Sequence, residues 1–191
     1  MSNLTIPPPP SSLPEGYSFH SGIPPVPAYL HLRAASGLTP KTEAQAAPVA
    51  AGSWYGCFVA FTPPAKKTVD GTGNSGSGDD DDNDDDDNNN NGTQSSPVPV
   101  PVAMGRIIGD GGWYFIIADM AVLPEHQRRG LGDAVLKHLL ACIKLNAPEG
   151  WTYVTLGADG AGRALYRKNG FVESAPDQVM MHLPRDWKEQ Q

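Results

Sequence analysis

GDGGWYFIIADMAVLPEHQRRGLGDAVLKHLLACI, from Gly109 to Ile143, decides the fold. Trp113 to Val122 is rich in aromatic and β-branched residues and predicts a largely buried strand. Pro124 ends it, because proline has no N–H for a ladder. Gly130 and Gly132 flank the start of a helix. Beyond them Leu131, Val135, Leu136, Leu139, Leu140, Cys142 and Ile143 recur at helical spacing, while Asp133, Lys137 and Lys144 lie largely elsewhere. This is a half-buried helix entered through a glycine-bearing loop.

The chemistry suggested by Gln127-Arg128-Arg129-Gly130-Leu131-Gly132 is anion binding. The first turn of a helix has N–H groups without intrahelical partners, and its dipole favours negative charge. The two glycines allow close approach to the backbone, and the two arginines add positive charge. The run is neither a dinucleotide fingerprint, since Val135 stands where the third glycine belongs, nor a P-loop, which needs Gly-Lys-Ser/Thr. From local features alone, a tight turn and a phosphate site both remain open.

Outward from this stretch, the 191 residues suffice for one domain with a sizeable core. The net charge of -7 misleads, because eight aspartates lie in Asp79–Asp87; without them 13 acidic residues face 14 basic ones. A nearly neutral remainder with no broad basic stripe argues against nucleic-acid binding. Cys57 and Cys142 sit in apolar contexts and read as buried thiols, too few for a disulfide framework. No run resembles a signal peptide or approaches a membrane span, so the expected location is cytoplasmic, with the nucleus also open, and not secreted. The sequons at Asn3 and Asn91 then read as chance matches.

Residues 1–16, with Pro7–Pro10 and Pro14, read as a disordered, proline-rich leader. A single domain is expected over 17–183, with a polar tail at 184–191. Tyr17–His20 predicts a short strand and Tyr29–Ser36 a helix. A second helix is expected to open at Thr39-Pro40 and run to Ala51. These helices either border a substrate site or cover the sheet edge. Trp54–Phe61 and Val102–Ile108 predict strands, separated by a low-complexity Asp/Asn-rich loop over 62–99. That loop has almost no apolar side chains to offset chain entropy, and reads as an inert disordered insertion. It has no EF-hand spacing. Trp151–Leu156 predicts a strand and Ala161–Asn169 a helix, and Phe171–Glu173 with Gln178–His182 a closing hairpin. An α/β domain results, with a central mixed, mostly antiparallel sheet flanked by about four helices.

Together these residues resemble the GNAT superfamily of N-acetyltransferases and its acyl-coenzyme A N-acyltransferase fold. Gln127 to Gly132 matches the Q/R-x-x-G-x-G/A signature, Asp119-Met-Ala-Val-Leu-Pro124 is similar to the fourth strand, and Ala164-Leu-Tyr-Arg-Lys-Asn-Gly-Phe171 to the closing LYxKxGF segment. The likeness spans roughly Tyr17 to Leu183, with its specific motifs in Asp119–Gly132 and Leu165–Phe171. The short helices around Ser36-Gly-Leu-Thr-Pro-Lys41 are similar to a bacterial and fungal subgroup of the small-amine type.

The resemblance implies acetyl transfer from acetyl-CoA to a primary amine, without a metal and without a covalent enzyme intermediate. In that reading the N–H groups of Arg128, Arg129, Gly130, Leu131 and Gly132 hold the pyrophosphate, with Gln127 also at the cofactor. Met120, Ala121 and Val122, on a splayed or bulged strand, take the pantetheine arm through the main chain. Tyr166 protonates the departing thiolate. Histone-modifying relatives use a glutamate base early on the fourth strand, and Ile116 stands at the matching position here. Asp119, a carboxylate in an apolar strand on the opposite parity from Ile116, is the candidate base or amine-orienting group, with a structural acceptor as the other reading. Glu125 and His126 read as surface residues, and His20 and His31 have no assigned role. A small-molecule amine is the expected acceptor and the expected state a monomer or homodimer. The rival function is a catalytically inactive acyl-CoA-binding regulator that interacts through the acidic loop.

Overall fold

The computed structural model describes residues 4–64, 98–181 and 183. Five strands form one sheet in chain order: β1 (Tyr17–Ser21), β2 (Tyr55–Phe61), β3 (Val100–Gly109), β4 (Tyr114–Val122) and β5 (Tyr153–Thr155). The first four pair antiparallel, whereas β5 runs parallel to β4. Parallel neighbours need a crossover, supplied by α4 (Leu131–Asn146). Before β2 come α1 (Val26–Ala35), α2 (Glu43–Ala46) and α3 (Val49–Gly52), and after β5 comes α5 (Arg163–Lys168). The expected α/β class with a mixed, mostly antiparallel sheet is what the chain adopts.

Helices cover both faces. On one, α4 buries Leu131, Val135, Leu136, Leu139, Cys142 and Ile143. It comes so close to β3 that a Cβ at Gly105 would meet Val135 at 2.9 Å and Leu139 at 3.0 Å, so only glycine fits there. On the other face α1 lies over β3 and β4, burying Tyr29, Leu32 and Arg33. Cys57 and Cys142 are free and buried. Burial pushes both thiols up, Cys142 to about 11, so neither supplies a thiolate near neutral pH.

Several expectations need correction. The helix expected from Thr39 to Ala51 is two single turns. Thr42 and Gln45 form a capping box that starts α2, a stronger start than Thr39-Pro40, and Pro48 separates α2 from α3. The leader is held from Leu4 onward: the Asn146 side chain accepts from the Thr5 N–H at 2.7 Å and donates to its carbonyl at 2.8 Å, and Pro7 is buried. The closing hairpin does not form among the described residues. Phe171 turns back on α5, its N–H donating to the Tyr166 carbonyl, while Gln178 bonds Ser174 and Tyr153. Val172 and Met181 are each 90% exposed, so no alternating apolar face holds either segment in strand register. The predicted Trp151–Leu156 strand is shortened to β5. The low-complexity run 65–97, His182 and the tail 184–191 lie outside the described residues.

His138, on the buried side of α4, bonds the Tyr55 hydroxyl at 2.8 Å through Nε2, and that hydroxyl meets Ser21 Oγ at 3.0 Å. Burial lowers the His138 pKa from 6.5, against the opposing pull of the Pro8 carbonyl. Its neutral form therefore contributes stability above about pH 6.5, which is lost as pH falls and the unfolded chain takes up the proton first. Urea midpoints should drop between pH 7.5 and pH 5.5, and His138→Gln should flatten that drop. An equal drop in the variant would assign the acid sensitivity elsewhere.

Candidate active site

In β4 the register with β3 slips: Arg106 pairs with Ala118, yet Met104 pairs with Ala121. One residue is in excess, and Asp119 absorbs it with a left-handed φ of 54°. The consequence is directional. Ala118 shares the α1 face with its partner Arg106, so plain alternation would point Asp119 at α4. The bulge returns it to the α1 face, where it meets Arg33 and Arg106. Ile116, paired with Ile108, is on this same face, so the parity that separated the two residues on paper does not separate them in space. Beyond the bulge Met120 faces α4, its Sδ nearest to Gly105.

The same strand loses its other neighbour. Pairing with β5 ends at Ile116–Thr155, and from Ile117 to Val122 that edge has no strand partner among the described residues. Leu123 N–H donates to the Val102 carbonyl beside the Val122–Ala103 pair, which turns Val122's own N–H and C=O to the open edge. There the Val122 carbonyl accepts from Gln127 Nε2 at 3.1 Å.

After Pro124–His126, a single 3-10 turn, the chain enters α4 through Arg128 (φ 61°) and Gly130 (φ 81°), both left-handed. No side chain caps the helix, and its first bond is Ala134 N–H to the Gly130 carbonyl. The N–H groups of Arg128 to Asp133 have no acceptor among the described residues, and they form the concave anion nest that helix starts offer. Arg128 holds a conformation that costs a non-glycine residue about 1–2 kcal/mol. A Cβ at Gly132 would sit in ordinary contact, 3.5 Å from Val122 and Leu165. Gly130→Ala should therefore cost about 1–2 kcal/mol of stability, while Gly132→Ala changes stability little. Equal losses for both, by thermal melts, would contradict this geometry.

Asp133 ties α5 to this first turn, accepting from Asn169 Nδ2 at 2.9 Å and Lys168 Nζ at 3.2 Å, and from Lys137 Nζ at 2.7 Å. The Lys137 bond, then Asn169 and Lys168, lower its pKa to about 2, so this anchor persists down to roughly that pH. Tyr166, one residue past Leu165, lies with its ring against Gly162. Burial, then the Asp159 charge, raises its pKa, and the hydroxyl keeps its proton.

On the α1 face a cavity of about 220 Å³ is lined by Tyr29, Arg33, Lys41, Gln45, Arg106 and Asp119, with Ala46 and Val49. Asp119 Oδ1 accepts from Arg33 Nη1, and Oδ2 from both Arg106 Nε and the Tyr29 hydroxyl. Burial alone would push this carboxyl up, but the Tyr29 bond and the Arg106 and Arg33 guanidinium groups outweigh it and hold it below the usual range. A carboxylate so held is a poor proton acceptor near neutrality.

The residues matched by the acetyltransferase (GNAT) domain family run from 98 to 173, taking in β3, β4, the loop, α4 and α5. A Staphylococcus aureus protein of unknown function, designated a probable acetyltransferase, is 27% identical, with 88% of this chain and 98% of that one covered and a TM-score of 0.64. Over residues 98–173 the chain thus carries the GNAT acetyltransferase match, and its fold is that of GNAT acetyltransferases. A Streptococcus pneumoniae GNAT-family protein (20% identity, 88% and 98% covered, TM-score 0.55) shares the fold. So does the Escherichia coli ribosomal-protein-S18-alanine N-acetyltransferase (19%, 83% and 79%, TM-score 0.52). No curated protein sequence matches the chain.

Within this GNAT fold, Met120 to Val122 and Gln127 to Gly132 lie along one continuous path, the open edge of β4 leading into the α4 nest. Asp119 lies beside that path on the α1 face. The sequence reading missed Tyr29, Arg33, Lys41, Gln45 and Arg106. One signal was available: Arg106 is a lone charge in the apolar run Val102–Ile108, the counterpart of Asp119 in its own strand. His20 stacks on Phe58 and bonds Ser18, and His126 Nδ1 meets the Tyr17 hydroxyl at 2.8 Å; neither lines the cavity.

Proposed function

We propose that this protein transfers an acetyl group from acetyl-CoA to the primary amine of a small molecule by direct attack. The observation that carries the reading is the junction in β4, where an open strand edge runs into an uncapped, arginine-flanked helix start while the bulge presents Asp119 to a cavity. These features fit the cofactor: the N–H groups of Arg128 to Gly132 would hold the pyrophosphate, and the β4 edge at Met120 to Val122 the pantetheine arm. Bound acetyl-CoA supplies the acetyl thioester. N–H groups on the open edge would favour the negative charge that develops on the carbonyl oxygen during attack. As the C–N bond forms and the C–S bond breaks, Tyr166 gives its proton to the leaving sulfur. Asp119 serves as a positioning carboxylate, because its ion pairs suit it to orienting the amine more than to taking a proton. The amine's proton leaves to water. Both cysteines, buried with raised pKa values, fit a reaction without a cysteine-bound intermediate.

The test is release of coenzyme A thiol from acetyl-CoA across a broad amine panel, with products identified by mass. An acetylated amine is expected. Tight acetyl-CoA binding with no thiol release for any amine would leave a binding protein instead.

A further inference from the structure

The cavity beside the bulge holds more positive charge than its own carboxylate balances. Arg33, Arg106 and Lys41 line it against the single acid Asp119. Part of their donor capacity is used: Arg33 Nη2 donates to the Thr39 carbonyl at 3.0 Å and Arg106 Nη1 to Ser53 Oγ at 3.3 Å, besides their bonds to Asp119. Arg33 is only 8% exposed, yet its Nε is buried with no partner. Arg106 Nη2 and the Lys41 ammonium have no hydrogen-bond or ionic partner among the described residues. The Arg33 Nε is sealed from the cavity, so the donors left open to a ligand there are Arg106 Nη2 and the Lys41 ammonium.

We infer that the acceptor amine also carries a carboxylate, as an amino acid does, and that Arg106 and Lys41 hold that carboxylate. The inference rests on the acetyl-transfer reading of the same site. Arg106 Nη2 donates to a carboxylate oxygen, and Lys41 adds a point charge. Asp119 has three of its roughly four acceptor positions filled, leaving one for the amine. A diamine would bring a second cation among three others, an arrangement that like charges oppose. The volume, below the roughly 300 Å³ at which drug-sized pockets begin, suits a small molecule.

The full chain would be titrated with matched pairs that differ only in the carboxylate: alanine and ethylamine, lysine and cadaverine, phenylalanine and phenethylamine. Binding is read from the side-chain Nε signals of ¹⁵N-labelled arginine. The amino acid of at least one pair should give saturable shifts and bind at least about tenfold more tightly than its amine. Lys41→Met should weaken that binding with the thermal midpoint unchanged, and Lys41→Glu should reverse the order within the pair. Amines that bind as tightly as their amino acids, or no saturable shift from any amino acid, would overturn the inference. Thiol release, measured in parallel, separates the two readings. Amino-acid binding without turnover would count against acetyl transfer, whereas equal kcat/KM for both members of every pair would count against the carboxylate site.

Discussion

Asp119→Asn is expected to destabilise the protein by about 3–5 kcal/mol, the usual effect of removing one partner from a buried ion pair. Two guanidinium groups, those of Arg33 and Arg106, would be left buried without their counter-charge. At roughly 2–4 °C per kcal/mol for a chain of this size, the thermal midpoint should fall by roughly 6–20 °C. The position is sensitive because Asp119 links layers: Arg33 and Tyr29 come from α1 and Arg106 from β3, while the carboxylate stands on β4. Replacing the charges together, by Asp119→Asn with Arg33→Met and Arg106→Met, should restore much of the loss, since no charge then stays unpaired and asparagine tolerates the left-handed φ. A midpoint for Asp119→Asn within a degree or two of the parent would show that apolar packing alone docks α1 on the sheet.

Tyr166→Phe carries the largest expected effect on rate. If the hydroxyl protonates the leaving sulfur, kcat should fall about 10²–10⁴-fold with acetyl-CoA affinity within about twofold of the parent. Folding should be unaffected, because the hydroxyl has no hydrogen-bond partner among the described residues and the ring contacts with Gly162 and Phe171 are kept. The pH profile adds a second readout. Tyr166 is raised above the ordinary value of 10 by burial and by Asp159, so the parent enzyme should hold its rate up to that region, and the variant should show no loss there. Unchanged turnover would remove Tyr166 from the chemistry and leave it as a packing residue of α5.

The parts legible in the sequence were those whose cause is local. Alternation and β-branching mark β4, the apolar spacing of Leu131 to Ile143 marks α4, and a glycine pair beside two arginines marks the loop between them. What escaped depended on distance along the chain. Tyr29 and Arg33 reach Asp119 from some ninety residues earlier, and nothing in AYLHLRAA tells that its arginine points inward at a carboxylate. The bulge escaped for another reason. Parity counting assumes two residues per repeat, and a single left-handed aspartate breaks the count without altering the composition. Thr42 and Gln45 were local and readable, but Thr39-Pro40 offered a rival start three residues earlier, and the reciprocal bonds of the capping box outweighed it.

The extra residue at position 119 sets the two halves of β4 in opposite phase. Up to Ala118 the even-numbered side chains look toward α1; from Asp119 on, the odd-numbered ones do. The strand can thus serve two clients at once, its first half counting for the acceptor side and its second for the loop that follows. Loss of any one residue between Ile117 and Met120 would put the whole strand in a single phase. Either the carboxylate would leave its arginines or Val122 would rotate away from Gly132, and no side-chain substitution elsewhere could restore both.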